Sequence, residues 1–500
     1  MIKRFTAALL AVVMLTAVFT SCAKKPKNAA NTVTTPVNTA KSDIETDSSS
    51  FKLSYSKSDS LNPYESNTLN NQVLGNLVFE SLFRLDEGYK LVPELAVGYS
   101  YADPVTIKVT IPSGREFSNG KKITASSIVY AFKEAKASVQ YSNALRGISS
   151  AKAEGENVIS FKLSYKNPEA HNLLTFPIAS RKSDKKGYPI GSGRYVFGEA
   201  DGNAFLELNK GYKDFTPHIT KITLVNITAA DSIDNAINIG NISYTYRDLS
   251  SGAKTKINSN KKAVNLNNLV YIGLNCYAGI TSDENIRKAI SLAIDRDTLV
   301  KSAYQGYARA ATSPFHPVSA LGKETTVFSS SADVSAAKQA ITQSRYKNDK
   351  LKIDILVGTN SEKTAVAMLV KQQLEAAGFK VTINREKNEV YKSKVDYKSY
   401  NIYIGETRLT NDMSLLGFFT EKGATSSGIN TKEGKSAKSY RGYLNSTNEI
   451  GKFILDFQEE IPFIPLLYRE GMICWAKSMH GDMQGYEGNY FSNIEDWYFN

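Results

Sequence analysis

Residues 351 to 404 constrain the fold more than any other stretch of this chain. Leu351 to Val357 alternates apolar and polar residues, as a half-buried strand does. Ser361 can cap a helix that carries Val366, Leu369, Val370, Gln373 and Ala377 on one side. Gly378 stands where a glycine relieves the left-handed turn that ends a helix. Phe379, Val381 and Ile383 alternate as a second strand, and Tyr400 to Ile404 as a third. Strand, helix and strand at this spacing form a βαβ unit, so this part is α/β with a partly parallel sheet.

Other elements are legible before it. Phe51 to Tyr55 reads as a strand broken by Leu61-Asn62-Pro63, and Asn70 to Phe83 as a helix. Val105 to Ile111, Val158 to Leu163 and Ile219 to Ile227 are strand-like. Asn119-Gly120 signals a hairpin whose two central residues both need positive φ. Thr124 then caps a helix from Ala125 to about Ala137 that turns Ile128, Phe132 and Ala135 inward. Ser127 holds the place of the glutamate in a capping box, so the reciprocal half of that box is expected to be absent. Residues 268 to 275 form a mostly apolar strand, followed by a helix from Ile286 to Ile294 and a second one capped by Asp297. Folded sequence from Phe51 onward, at roughly 150 residues per domain, suggests two or three lobes.

The start of the chain addresses it for export. Lys3 and Arg4 precede an apolar run from Phe5 to Phe19, shorter than the roughly 20 residues of a membrane span. Thr20-Ser21-Cys22 resembles the lipobox of bacterial lipoproteins, with Phe19 departing from the usual leucine-type residue. That resemblance implies a leader over 1–21, a Cys22 bearing more than one acyl chain, palmitate among them, and attachment to the cell membrane. Residues 22–50, rich in Asn, Thr, Ser, Ala and Lys, read as a disordered tether. The net charge of +12 is scattered, which is a solvated surface. With no basic, aromatic-interleaved motif, nucleic acid is not an expected partner.

Catalytic signatures are missing. Gly114 and Gly120 flank one residue too many for a phosphate loop, and Lys122 replaces its hydroxyl. There is no G-x-S-x-G elbow and no Cys–His signature. His171, His218, His316 and His480 lie far apart, with no metal-ligand spacing. A metal site or a carboxylate dyad built from distant residues stays open at this level. The expectation is a non-enzyme with no cofactor and no metal.

The run Phe117-Ser118-Asn119-Gly120 through Phe132 resembles the signature of the family 5 extracellular solute-binding proteins, the oligopeptide and dipeptide receptors of ABC importers. Leu61-Asn62-Pro63, Val78 to Phe83, Leu91 to Ala96, Pro189 to Tyr195, Ile286 to Val300 and Ile461 to Leu466 are similar to family motifs in the same order. The resemblance implies a periplasmic-binding-protein-like fold of cluster C, with three lobes and a two-strand hinge. Lobe I would comprise 51–75, 180–267 and 476–500, lobe II 76–179, and lobe III 268–475. It also implies hinge strands at 268–275 and 462–474 that run antiparallel. Cys276 and Cys474 would then stand some 20 Å apart, too far for a disulfide, as two free thiols.

Function follows from the same resemblance: a monomeric binding protein closes lobes I and III on a peptide and delivers it to ABC permease and ATPase subunits. The expected ligand-binding residues are Asn62, Asn275, Gly405, Glu406, Thr407, Arg408 and Asp412. Oligopeptide receptors carry Trp-x-x-Asp-Tyr where this chain reads Ile404 to Asp412, and Leu409 falls where the amino-group aspartate would be. Glu406 or Asp412 can replace it, and Arg408 can hold a carboxylate by a two-pronged pair. Surface charges are the competing reading of these three residues. Some of the 28 tyrosines can line the cleft. An oligosaccharide or metal-chelate carrier, a peptide-pheromone receptor and an extracellular hydrolase remain as alternatives.

Overall fold

The computed structural model describes residues 50–249, 255–347 and 351–499. The leader, Cys22 and nearly all of the tether therefore lie outside the described residues. Among those described, no helix is long and apolar enough to cross a membrane.

Strand β1 (Phe51–Tyr55) opens the fold, and β2 (Phe83–Leu85) and β3 (Leu91–Pro93) form a small hairpin. A four-stranded antiparallel sheet follows, built from β4 (Gly98–Asp103), β5 (Thr106–Thr110), β6 (Ile148–Ala153) and β7 (Val158–Leu163) in the order β4-β5-β7-β6. Ile107, Val109, Ile159 and Phe161 alternate onto its buried face, where the helix Ala125–Ala137 brings Phe132 within 5.7 Å of Phe161.

The dominant element is one 11-stranded sheet. It joins β1 to β8 (Tyr195–Ala200), β9 (Asn203–Leu208), β10 (Lys221–Asn226), β11 (Tyr244–Arg247), β12 (Asn260–Leu274), β13 (Ala308–Ala310), β14 (Lys352–Val357), β15 (Lys380–Arg385), β16 (Ile402–Arg408) and β17 (Phe463–Trp475). The order is β15-β14-β16-β12-β17-β11-β1-β10-β9-β8, with β13 also paired to β17. A ribbon of β18 (Met479–His480) and β19 (Tyr498–Phe499) ends the chain.

The βαβ reading holds. β14 pairs parallel with both β15 and β16, and the helix Ser361–Ala377 makes the crossover, ending at Gly378 with φ 106°. β12 divides its side chains by the two-residue period of a strand. Val270, Ile272 and Leu274 enter one core with the helices Glu284–Ala293 and Ser361–Ala377, while Leu269 and Tyr271 enter another rich in aromatic rings.

The two strands expected to cross antiparallel do so, as β12 and β17. β12 is much longer than its apolar stretch, since the exposed Asn260 to Ala263 also pair with β17. Between Asn265 and Leu269 the register shifts, β12 advancing four residues while β17 advances two, from Glu470 to Tyr468. Cys276 and Cys474 are both free. Their separation is larger than expected: Cys474 lies opposite Lys261, whereas the Cys276 sulfur is 3.7 Å from the Pro462 carbonyl. The strand between Pro462 and Cys474 spans roughly 40 Å.

Several local expectations are corrected. The first helix is Leu69–Val78, and Phe79 to Leu82 leave it as buried extended chain. Asp295, not Asp297, caps the helix Arg296–Tyr304, and Asn360, not Ser361, caps the next crossover helix. At Asn119-Gly120 only Gly120 has positive φ, 77°. Its N–H donates to the Phe117 carbonyl and the Phe117 N–H to Lys121, a three-residue loop with a glycine bulge rather than a two-residue turn. The capping box is also more complete than expected, since the Ser127 hydroxyl accepts from the Thr124 N–H at 3.2 Å.

Candidate functional site

The site is organised by two cross-strand pairs. Tyr271 lies directly opposite Gly405, and Gly273 directly opposite Tyr403, on the antiparallel ladder of β12 and β16. Each tyrosine ring lies over the glycine facing it. A Cβ at Gly405 would come 2.4 Å from the Tyr271 ring, and one at Gly273 2.0 Å from the Tyr403 ring. Only glycine permits that approach. The rings meet edge to face at 5.8 Å with their hydroxyls 3.3 Å apart. Burial raises both phenols, Tyr271 to about 12, so they act as neutral hydrogen-bonding groups.

The outer edge of β16 is open beside them. β14 pairs with β16 only through Ile402 and Tyr403, so no described strand flanks Ile404 to Arg408 on that side. The Tyr391 hydroxyl donates to the Ile404 carbonyl at 2.8 Å. Next to this edge is a cavity of about 940 Å³, bounded by the helix Asn388–Asp396 and by residues 421–432. Tyr271, Tyr277, Tyr391 and Tyr403 line it, together with Gly405 and Glu406.

The expected site residues take different places. Gly405 and Glu406 border the cavity, and Thr407 continues the same strand opposite Leu269. Glu406 is held by Lys363 at 3.2 Å, Arg469 at 3.3 Å and the Asn268 amide at 3.1 Å. Arg408, at the end of β16, bridges Asp248 at 3.2 Å and Glu487. Asp412 is buried away from them. It accepts from the Asn167 amide at 2.7 Å and from the Thr410 hydroxyl, and burial pushes its carboxyl above the usual range. Asn275 shapes the loop to Tyr277: its amide donates to the Lys398 and Tyr400 carbonyls, and its oxygen accepts from the Tyr277 and Ala278 N–H groups. Asn62 belongs to a separate pocket of about 650 Å³, where its oxygen accepts from the Tyr64 N–H.

Asn267 was not singled out by sequence. It is 1% exposed, and neither side-chain amide atom has a hydrogen-bond partner among the described residues. Its carbonyl accepts from the Leu409 N–H and its own N–H donates to Glu487. The signal available was an Asn-Asn pair directly ahead of the apolar run Leu269 to Leu274. Among the described residues, no group of three or more His, Cys, Asp or Glu side chains is placed to hold a metal.

Residues 90–426 match the family described as bacterial extracellular solute-binding proteins, family 5. The chain belongs to this family. The family 5 protein is 25% identical over 348 residues to the oligopeptide-binding protein AppA of Bacillus subtilis, covering 61% of this chain and 63% of that relative. It is also 25% identical over 346 residues to the glutathione-binding protein GsiB of Salmonella paratyphi A, covering 65% of this chain and 66% of the relative. The match thus spans a little under two thirds of each relative. Its fold is similar to that of the unliganded open form of the periplasmic murein tripeptide binding protein MppA, with a TM-score of 0.72, 18% identity and coverage of 90% and 97%. The expected periplasmic-binding-protein fold is therefore the one observed.

Proposed function

We propose that this family 5 protein is the substrate-binding lipoprotein of an ABC importer and that it captures peptides. The observation that carries the reading is the unpaired edge of β16 beside the tyrosine-lined cavity. An extended peptide can add to that edge as a further strand. Main-chain hydrogen bonds then supply affinity, and the cavity receives a side chain. Neutral phenols suit this role, since they hydrogen-bond while presenting apolar ring faces. The oligopeptide-binding relative supports the same ligand class.

In this reading lobes I and III, with the boundaries given above, close on the ligand. Arg408, Asp248 and Glu487 then form a polar junction across which closure occurs, and Arg408 is the group that exchanges these partners for a ligand carboxylate. Cys22 carries the lipid anchor, the protein is a monomer on the outer face of the membrane or in the periplasm, and the loaded form docks on the permease. No bond is made or broken.

Native mass spectrometry of the purified protein tests the proposal. A heterogeneous set of co-purified short peptides is expected. One defined peptide would instead favour a pheromone receptor, a sugar or metal adduct would replace the peptide assignment, and turnover of a released ligand would identify a hydrolase.

A further inference from the structure

The hairpin of β2 and β3 belongs to two cores at once. Phe83 enters the core that holds Ile107, Val109 and Phe161 of the four-stranded sheet, and its ring meets Tyr99 of β4 edge to face at 5.9 Å. Leu85 and Tyr89 enter the aromatic core to which β12 contributes Leu269 and Tyr271, and β17 Phe463 and Tyr468. The base of the hairpin thus rests on one sheet and its tip on the other.

The tip is fixed internally. The Asp86 carboxylate accepts from the Gly88 and Lys90 N–H groups at 2.8 and 2.9 Å, and the Tyr89 N–H donates to the Asp86 carbonyl. Tyr89 has φ 59°, in the left-handed region, where an L-residue costs backbone energy. Such strain persists only where the surroundings hold it. Here they hold the ring, which is buried 5.0 Å from the His316 ring, itself 4.6 Å from the Tyr468 ring. Burial pushes the His316 imidazole down to about 3, so the middle ring of the three is neutral. A second contact is independent of the rings: the Glu87 carbonyl accepts from the Asn265 amide at 3.1 Å. Asn265, opposite Glu470, is the last residue of β12 paired before the register shift, and Tyr468, opposite Leu269, is the first of β17 paired beyond it. The one tip therefore reaches the sheet on both sides of the bulge, once on each strand.

We infer that the β2–β3 hairpin is a strap across the bulge of β12 and β17, and that its hold on Asn265 and on the ring stack ending at Tyr468 restrains flexing there. A bulge interrupts the ladder that would otherwise hold two strands in register. The strap supplies the missing restraint from outside the sheet, and releasing it frees the two sides to move. The inference rests on the lobe closure proposed above, to which it adds a part for the four-stranded sheet that carries the hairpin.

The test is amide hydrogen exchange of the full chain, stripped of bound ligand by unfolding and refolding and read by mass spectrometry of peptic fragments. Tyr89→Gly suits the left-handed backbone and removes the ring. Amides of β12 and β17 flanking the bulge should then exchange about 10-fold faster than in the wild type. Tyr89→Phe keeps the ring and should stay within about 2-fold of wild type. Asn265→Asp removes the amide donor while keeping the oxygen that accepts from the Arg309 Nε at 2.7 Å. It should speed the same amides about 5-fold. Amides of β14 and β15 are the internal reference and should keep their wild-type rates in all three variants. A rise shared equally by β14 and β15 would mean a general loss of stability and would overturn the inference. So would unchanged rates at the bulge in both Tyr89→Gly and Asn265→Asp, or a Tyr89→Phe protein as fast as Tyr89→Gly. Because no ligand enters the measurement, the strap can fail while peptide capture stands, and peptide capture can fail while the strap stands.

Discussion

Gly405→Ala is the sharpest single test of the site's architecture. The new Cβ would stand 2.4 Å from the Tyr271 ring, against an ordinary carbon–carbon contact of about 3.5–4.0 Å. The ring must therefore retreat by more than about 1 Å. Its surroundings resist this, because Phe418 packs at 5.0 Å and Tyr403 and Phe463 each at 5.8 Å, all in edge-to-face contact. Overpacking of that kind costs about 1–3 kcal/mol. Tyr271→Ala alone creates a void and costs about 3–5 kcal/mol. Together the two changes are less than additive, since the void accommodates the new methyl group; a coupling of about 1–3 kcal/mol is expected. Guanidinium unfolding followed by tryptophan fluorescence and circular dichroism measures all four corners of the cycle, with coincident transitions as the condition for using free energies. A Gly405→Ala protein within about 0.5 kcal/mol of wild type, or a strictly additive cycle, refutes the ring-over-glycine argument.

Three further outcomes follow from the structure. Burial raises the carboxyls of Asp412 and Glu169, and the Asp412 charge adds to the rise at Glu169. Stability from these groups is full below their unfolded values, about 4, and is lost as pH rises through their higher folded values. Thermal unfolding across that range should show this loss, and Asp412→Asn should flatten it. The thiols of Cys276 and Cys474 are pushed by burial to about 11 and about 12. Both should resist a thiol-specific dye in the native protein at pH near 8 and react after unfolding, while a non-reducing mass two hydrogens lower would reveal a disulfide. Arg408→Ala removes the cation between Asp248 and Glu487, each 17% exposed. It should lower unfolding stability by about 1–3 kcal/mol, more than Glu487→Gln does.

The parts legible in sequence are those set by local pattern. β7 matches its alternation residue for residue, because one face is buried throughout. The βαβ unit was likewise readable from its periodicity and from Gly378. Errors arose where neighbouring residues could do the same job. Asp295 and Asp297 can both cap a helix, as can Asn360 and Ser361, and only the path of the preceding chain decides. The first helix stops at Val78 without a glycine or proline, because the Arg84 guanidinium bonds the Phe79 carbonyl and the following residues pair with Pro177 and Glu94. The apolar pattern ends the third strand at Ile404, whereas β16 runs on to Arg408 and carries Gly405 and Glu406 to the cavity edge from within the strand. The reciprocal tyrosine–glycine pairing was not legible, because it depends on the register of strands about 130 residues apart. The cavity was hidden for the same reason, since residues 391–398 and 421–432 meet only in the folded chain.

The register shift between Asn265 and Leu269 has a mechanical consequence. A sheet resists bending through the regular ladder between its strands, and a bulge interrupts that ladder. β12 and β17 are the long strands shared by the β1 side and the β14–β16 side, so the softest line across the sheet passes through the bulge. On that ground flexing between the two sides is expected at the seam. Asn267, with its buried amide unmatched by the described residues, sits on that seam. Small rotations there leave the tyrosine-lined cavity intact, because it belongs wholly to one side. They displace Arg408 relative to Asp248 and Glu487, which belong to the other. In the proposed peptide capture, this seam lets the aperture change while the cavity keeps its shape.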